Sequence, residues 1–276
     1  MQPTPPRAPA TAKLNLALVV GPPCRDGRHQ VVTVLQRLSL ADRVSVAPGV
    51  GLTVTGFPGD TIVRLALKRL AVAVGVEPRW HAHLVKSIPV AAGLGGGSSD
   101  AATALRLANA TLSDPLDDDA LRGLAATVGA DVPFFLTAGP QLGEDDGTRL
   151  TPLTLPTDYW VVLLLPRGSR KTSTRAVYEA FDRRGGQEGF EERRHALLGG
   201  LVSVRHQREL AALPANDLAE SPLAAELLSL GAFRADVTGA GPTVYGLFLH
   251  RADAERARRR LEARGRTWMT VPAWYG

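Results

Sequence analysis

The stretch "PVAAGLGGGSSDAA" (residues 89–102) packs four glycines into five positions and follows them with two serines, an acid and paired alanines. Glycine loses more backbone freedom on folding than any other residue, so such a run needs a reason. It can be a linker, a tight structural turn, or a loop whose backbone must come close to a ligand. The flanks bear on the choice. Upstream, "RWHAHLVKSI" (79–88) alternates as a strand does. Downstream, "SSDAATALRLANATL" (98–112) reads as a helix with Ala101, Leu105 and Ala108 on one face and Ser98, Ser99 or Asp100 as its cap. A glycine turn between a strand and a helix N-terminus points successive amides into one concavity, and the helix end adds partial positive charge. Phosphate is the natural occupant, and Lys86 could add a further positive charge. The pattern is neither G-x-x-x-x-G-K-[ST] nor G-x-G-x-x-G with its usual acid, so it is neither a Walker loop nor a dinucleotide fingerprint.

Working outward, "AKLNLALVV" (12–20) reads as a strand and "QVVTVLQRLSLADRVSVAPG" (30–49) as two more. "GLTVTGFPG" (51–59) is a short strand closed by Pro-Gly, and Asp60 to Val74 has helical spacing behind a capping residue. "PLDDDALRGLAATVG" (115–129) is a further helix. Its acids Asp117, Asp118 and Asp119 fall in the first turn, where the helix dipole favours them over a metal-site role. The Pro-containing passage at 152–156 marks a boundary between domains 1–155 and 156–276. Beyond it come the buried-strand pattern "YWVVLLLP" (159–166), an Arg- and Gly-rich segment (183–206), helices around 216–230 and the strands of "FRADVTGAGPTVYGLFL" (233–249). Strands and helices alternate without a sustained parallel pattern, so the expected class is α+β.

The chain has 276 residues, 45% of them hydrophobic and 21% charged, with no apolar run of membrane-spanning length. The N-terminal "MQPTPPRAPATAK" has no apolar core and reads as a short Pro-stiffened tail. Cys24 is the sole cysteine, so no disulfide forms within the chain and a reducing, cytoplasmic compartment is expected. Net charge is +5, which suits an anionic substrate or nucleic acid. Of 32 basic residues only Lys13, Lys68, Lys86 and Lys171 are lysines, leaving 28 arginines, so each lysine draws attention where a compact ammonium is needed. The basic run at 251–266 places Ala254, Ala257 and Leu261 on one stripe and reads as a solvated amphipathic helix rather than a nucleic-acid surface. His81 and His83 share a strand face without a third ligand nearby, so they read as surface residues rather than a metal pair.

The glycine stretch resembles the second, ATP-binding motif of the GHMP kinase superfamily, the small-molecule kinases for galactose, homoserine, mevalonate and relatives. "AKLNLAL" resembles the superfamily's first motif, "GADVPFFL" its catalytic-acid segment and "TGAGPTVYGLF" its third motif. The four occur in order from Ala12 to Phe248. The triple-glycine form most resembles the branch whose substrate is a cytidylylated methylerythritol of non-mevalonate isoprenoid synthesis. The resemblance implies a two-domain fold, with an N-terminal domain of ribosomal-protein-S5 type and a C-terminal ferredoxin-like domain, and ATP and substrate meeting between them. It implies ATP with Mg2+, a soluble enzyme, and a small-molecule partner bearing a cytidine diphosphate group.

The implied roles are these. Asp131 matches the base that takes the acceptor hydroxyl's proton. Its place ahead of Val-Pro is expected to hold it extended, although a plain turn acid is the alternative. Lys13 matches the lysine that partners this base and stabilises a developing alkoxide, and Asn15, two residues on, would bond the substrate polyol. Lys86, Pro89, Val90, Ala91, Ala92, Gly93, Leu94, Gly95, Gly96, Gly97, Ser98 and Ser99 would form the ATP side, with Thr61 at the nucleotide-side helix. The family usually has asparagine at that last position. Gly239, Ala240 and Gly241 would face the substrate, with alanine where serine is commoner; a simple hairpin turn is the other reading. His29 would read the cytosine edge. Arg28 stands where the family has a tyrosine, and an arginine plane can also stack on a base. Tyr178, with Thr174 beside it, would supply the opposite aromatic, or else be a core residue. Ser98 or Ser99 could ligate the metal, while Glu144, Asp145 and Asp146 read as a surface loop. The rivals are a GHMP kinase for homoserine or a mevalonate-type alcohol, and a non-catalytic nucleotide or nucleic-acid binder.

Overall fold

Two long antiparallel strands organise the chain: β1 (Ala8–Pro23) and β2 (His29–Pro48). The computed structural model describes residues 7–24, 27–169 and 173–273. Residues 1–6 of the expected tail, and Lys171, lie outside them. The segment expected to form two strands at 30–49 is one. Its edge is shared by two partners in succession: β4 (Trp80–Val85) pairs with Arg43–Pro48, and β5 (Gln141–Glu144) pairs with Thr33–Leu35. Polar residues near its middle have partners. Ser39 Oγ lies 2.9 Å from Thr270 Oγ1, and Asp42 Oδ1 accepts from the amides of Ser87 and Ile88 at 2.5 and 2.8 Å.

The first sheet has six strands in the order β3–β4–β2–β5–β6 with β1 also on β2; β3 is Thr53–Thr55 and β6 is Arg149–Pro152. Only β3–β4 is parallel among its pairs. Helices α1 (Ile62–Ala73), α2 (Gly96–Asn109) and α3 (Asp118–Val128) cover one face, with Leu67, Leu70, Leu105 and Phe134 in a shared core. Asp60 starts α1 by accepting from the amides of Val63 and Arg64, and Asp117 caps α3 through the amide of Ala120. The second sheet, β10–β7–β9–β8, is antiparallel throughout: β7 is Trp160–Pro166, β8 Arg234–Val237, β9 Val244–Phe248 and β10 Gly265–Thr270. With α4 (Thr174–Arg183), α5 (Phe190–Ser203) and α6 (Pro222–Ser229) between β7 and β8, and α7 (Arg251–Leu261) between β9 and β10, it is a split β-α-β arrangement. The class is α+β. Ala254, Ala257 and Leu261 are the buried stripe of α7.

Successive residues of a strand face opposite ways, and β1 and β2 use both faces. Leu35 and Val44 join the helix-side core, whereas Leu14, Leu16 and Val34 pack with Val161, Leu163 and Tyr245 of the second sheet. The two sheets are thereby packed together, and the middle of β1 lies beside the turn between β8 and β9, where the Asn15 amide donates to Thr238 Oγ1. Among the described residues, no helix is long and apolar enough to cross a membrane.

The expected serine or aspartate cap of α2 is absent. The N-cap is Gly95, left-handed at φ 70°, and the helix begins at Gly96, so Ser98, Ser99 and Asp100 lie inside it. Asp100 meets Lys86 instead: Lys86 Nζ is 2.5 Å from Asp100 Oδ2 and also bonds Asp42 Oδ2. This buried group ties β2, the chain after β4 and α2 together beneath the glycine loop. One ammonium faces two carboxylates. Burial, followed by the like charge of Asp42, pushes the Asp100 carboxyl up to about 7 against the pull of Lys86. A carboxyl raised from 3.8 keeps a proton in the folded chain that the unfolded chain has released. Its contribution to stability is therefore fullest below about pH 4 and is lost as pH rises to about 7. Asp100→Asn removes this loss. Urea unfolding from pH 4 to 7.5 is expected to show the variant gaining on wild type as pH rises, with a slope of at most about 1.4 kcal/mol per pH unit; parallel curves would refute the assignment.

Candidate active site

The side chains of Lys13 and Asn15 are re-aimed by irregularities in the β1–β2 register between Thr11 and Lys13 and between Asn15 and Ala17, the place such bulges commonly serve. Lys13 Nζ donates to Asn15 Oδ1 at 2.6 Å and lies 3.6 Å from Asp131 Oδ2; the lysine is buried and the acid half-exposed. Asn15 is itself fixed: its Nδ2 donates to Thr33 Oγ1 at 2.8 Å, and its amide donates to Thr238 Oγ1 at 3.1 Å. Thr33 and Thr238 had no role in the sequence reading. The signal for Thr33 was a lone hydroxyl within the otherwise apolar "VVTVL", and Thr238 stands at the head of the third motif.

Asp131 is not extended, as had been expected. The residue directly before Pro133 is Val132, and it is helical at φ −66°, ψ −43°. Hydrogen bonds from Val132 N to Gly129 O and from Phe135 N to Val132 O carry the chain from α3 into a 3-10 turn at Pro133–Leu136, overriding the pre-proline preference. The turn presents Asp131 to the cavity.

In the glycine loop Ala91, Gly93 and Gly95 all have positive φ (59°, 79° and 70°) while the residues between them do not. Alternation of hand turns amides inward as an anion nest. Two of these glycines are also required by space. A Cβ on Gly93 would lie 2.5 Å from Thr238 O, and one on Gly95 would lie 2.9 Å from Lys13 Cγ and from Phe135. Facing Gly93 is the β8–β9 turn, a hairpin connection whose Gly239 O accepts from Asn216 Nδ2 at 2.7 Å. A cavity of about 880 Å³ runs between these loops. Of the expected nucleotide residues, Ala91, Gly93, Gly95 and Ser98 line it. Pro89, Val90, Ala92, Leu94, Gly96, Gly97, Ser99 and Thr61 shape or flank the loop without lining the cavity. Lys86 does not reach it either, because its charge is taken up by Asp42 and Asp100. Of Ser98 and Ser99, only Ser98 can offer its hydroxyl to the cavity; Ser99 is buried against α2's other surroundings.

The β8–β9 turn lines the cavity through Gly239, Ala240 and Gly241, and His29, Arg28, Thr174 and Tyr178 line it as well, all of them anticipated. The His29 and Tyr178 rings lie 4.8 Å apart and 34° from parallel, and His29 Nε2 is 2.7 Å from Asp182 Oδ1. Asp182 is four residues after Tyr178 on α4, a spacing that shares a helix face and could have revealed it. Tyr178 both lines the cavity and packs near Leu18, Val31 and Phe181. Burial, followed by the charge of nearby Asp131, pushes its phenol up to about 12. The surface-loop reading of Glu144, Asp145 and Asp146 is corrected at Asp146. The β5–β6 turn, drawn in by β5 pairing with Thr33–Leu35, sets Asp146 in the cavity wall, where it bonds Arg28. Glu144 and Asp145 pair with Arg149. His81 and His83 share the Thr55 hydroxyl at 2.9 and 3.0 Å. Among the described residues no group of three His, Cys, Asp or Glu side chains is arranged to hold a metal.

The family model for the GHMP kinases N terminal domain matches residues 60–139, and that for the GHMP kinases C terminal matches residues 187–267. A 4-diphosphocytidyl-2-C-methyl-D-erythritol kinase of Anaeromyxobacter sp. (strain Fw109-5) is 38% identical over 263 residues, covering 91% of this chain and 84% of the relative. One of the same name from Salinispora arenicola (strain CNS-205) is 37% identical, covering 93% and 88%. The crystal structure of a 4-(cytidine 5'-diphospho)-2C-methyl-D-erythritol kinase superposes with TM-score 0.79 at 32% identity over 97% of this chain and all of that one. The Methanococcus jannaschii mevalonate kinase matches with TM-score 0.77 at 12% identity, a likeness of fold. At this identity and coverage, the chain belongs to the 4-diphosphocytidyl-2-C-methyl-D-erythritol kinase family of the GHMP kinases.

Proposed function

We propose that this chain, an ATP-dependent small-molecule kinase, transfers the γ-phosphoryl group of ATP to the 2-hydroxyl of 4-(cytidine 5'-diphospho)-2-C-methyl-D-erythritol in non-mevalonate isoprenoid synthesis. The observation that carries this reading is the Lys13–Asp131 pair standing over the positive-φ glycine loop within one cavity. A nucleotide binder has no use for that pair, whereas a phosphoryl transferase needs both halves of it. Phosphoryl transfer asks mainly for positioning and charge neutralisation. The amides of the loop and the N-terminus of α2 cradle the phosphates. Asp131 accepts the proton of the acceptor hydroxyl, and Lys13 stabilises the oxygen as it becomes negative. Asn15, anchored at Thr33 and Thr238, orients Lys13 and offers its amide to the acceptor's polyol.

Magnesium suits the donor set: Ser98 is a hard-oxygen donor at the head of α2 in the cavity wall, and Mg2+ with a nucleotide takes most of its ligands from phosphate and water. When bound, the ion neutralises phosphate charge. At the cytosine end, Tyr178 stacks on the base, His29 reads its edge while Asp182 orients the imidazole, and Arg28, steadied by Asp146, takes the face where relatives carry tyrosine. On this reading the nucleotide half of the fold ends near residue 155 and the second half completes the acceptor cleft.

Incubation with ATP and, separately, the cytidylylated methylerythritol, mevalonate or homoserine is expected to release ADP with the first alone; turnover of another alcohol instead overturns the acceptor assignment. Asp131→Asn should lower kcat by about 10²–10⁴-fold with little change in nucleotide affinity. Gly95→Ala forces a Cβ onto Lys13 and a side chain into left-handed backbone. A displacement of this kind is expected to cost about 10²-fold in kcat, measured on protein whose circular dichroism matches wild type. An active Gly95→Ala enzyme would show that the Lys13 position is not critical.

A further inference from the structure

A second cavity, of about 170 Å³, lies behind the lysine of the active site and is lined by Thr11, Arg37, Ser99, Thr103, Arg106 and Phe135, with Pro9 at its edge. Ser99, Thr103 and Arg106 stand on one face of α2 at spacings of four and three residues. Arg37 is opposite Lys13 in the β1–β2 register. Phe135 is the wall common to both cavities, since it also limits the space at Gly95.

The charges of this pocket do not balance. The Arg37 side chain is buried, and its Nε has no hydrogen-bond partner. Its Nη2 is used by the carbonyls of Phe134, at 2.9 Å, and Thr137. Among the described residues neither Arg37 nor Arg106 has a carboxylate partner. Burial, followed by the like charge of Arg106, lowers Arg37 to about 10. A buried guanidinium with an unused N–H beside a second guanidinium is stable only at a cost, unless an anion satisfies both. Two arginines and the hydroxyl residues Ser99, Thr103 and Thr11 line one pocket and supply the kind of donors that a tetrahedral oxyanion takes.

We propose that this pocket binds a small tetrahedral oxyanion of the inorganic phosphate class, held between the Arg37 guanidinium and Arg106 and distinct from the phosphate cradle of the glycine loop. Such an ion joins two parts of the active site from behind. Arg37 holds the 3-10 turn that follows Asp131, and α2 carries Ser98 and the end of the glycine loop. The pocket is therefore placed to couple phosphate concentration to the rigidity of the catalytic cleft.

The test is thermal unfolding of the full chain titrated with inorganic phosphate while a non-hydrolysable ATP analogue saturates the glycine loop. A ligand bound only by the folded state raises the melting temperature in proportion to its occupancy. Phosphate is expected to stabilise the analogue-bound wild type. Arg106→Gln, a change at an exposed position, should weaken that phosphate effect about tenfold or more, while analogue affinity and kcat at low phosphate stay as in wild type. Thr103→Val, which keeps volume but removes a hydroxyl, should weaken it to a smaller degree. A phosphate effect that vanishes once the analogue is bound, or that persists unchanged in Arg106→Gln, overturns the proposal.

Discussion

Two backbone turns pressed against one another set the terms for the rest of this molecule. Gly93, at the crest of the loop between β4 and α2, sits so close to Thr238 and Gly241 that no β-carbon fits between them. One turn belongs to the helix-covered sheet and the other to the second sheet, so the contact spans the two. It is supported by β1 and β2, which bury residues in both cores. With the turns in contact, the amides of one and the Lys13–Asn15–Thr238 network of the other side open onto the same cavity. The phosphate cradle and the proton acceptor are then neighbours through geometry alone.

The polar side chains are arranged in concentric roles around that contact. Thr33, Thr238 and Asn216 do not line up as reacting groups; they hydrogen-bond Asn15 and the Gly239 carbonyl and so leave little freedom to the groups that do. The Lys86–Asp42–Asp100 group performs a comparable task from beneath, fastening the start of α2 to β2. Burying an ammonium between two acids is an expensive way to make a joint. It is tolerated because Asp42 also satisfies two amides that the strand end would otherwise leave unpaired.

Much of this was legible in the sequence because it rests on local rules. The helices at 62–73 and 118–128, the apolar stripe of α7 and the run that becomes β7 follow from periodicity and caps. Positions that departed from local rules were misjudged for identifiable reasons. Ser98, Ser99 and Asp100 look like caps, yet a left-handed glycine starts the helix earlier and turns Asp100 inward to a lysine. Asp131 was expected to be extended through a proline that acts on its neighbour, while the hydrogen bonds around Val132 impose a turn. Lys86 looked like a phosphate ligand because nothing nearby in the sequence shows that Asp42, 44 residues before it, consumes its charge.

The sequence by itself determined most of the secondary elements, the α+β class and, through four ordered motifs, the family and many of the residues that line the cavity. Those are properties of spacing, side-chain chemistry and backbone freedom, which the chain carries locally. Tertiary structure alone decided which charges remain available. Lys13 keeps its ammonium facing the cavity because its partner Asp131 is exposed there, whereas Lys86 is enclosed by two acids. Arg28 is steadied by Asp146, and Arg37 is buried beside another arginine. Whether a charge is spent or free depends on what is brought within a few ångströms of it by elements far apart in sequence, and no local pattern records that.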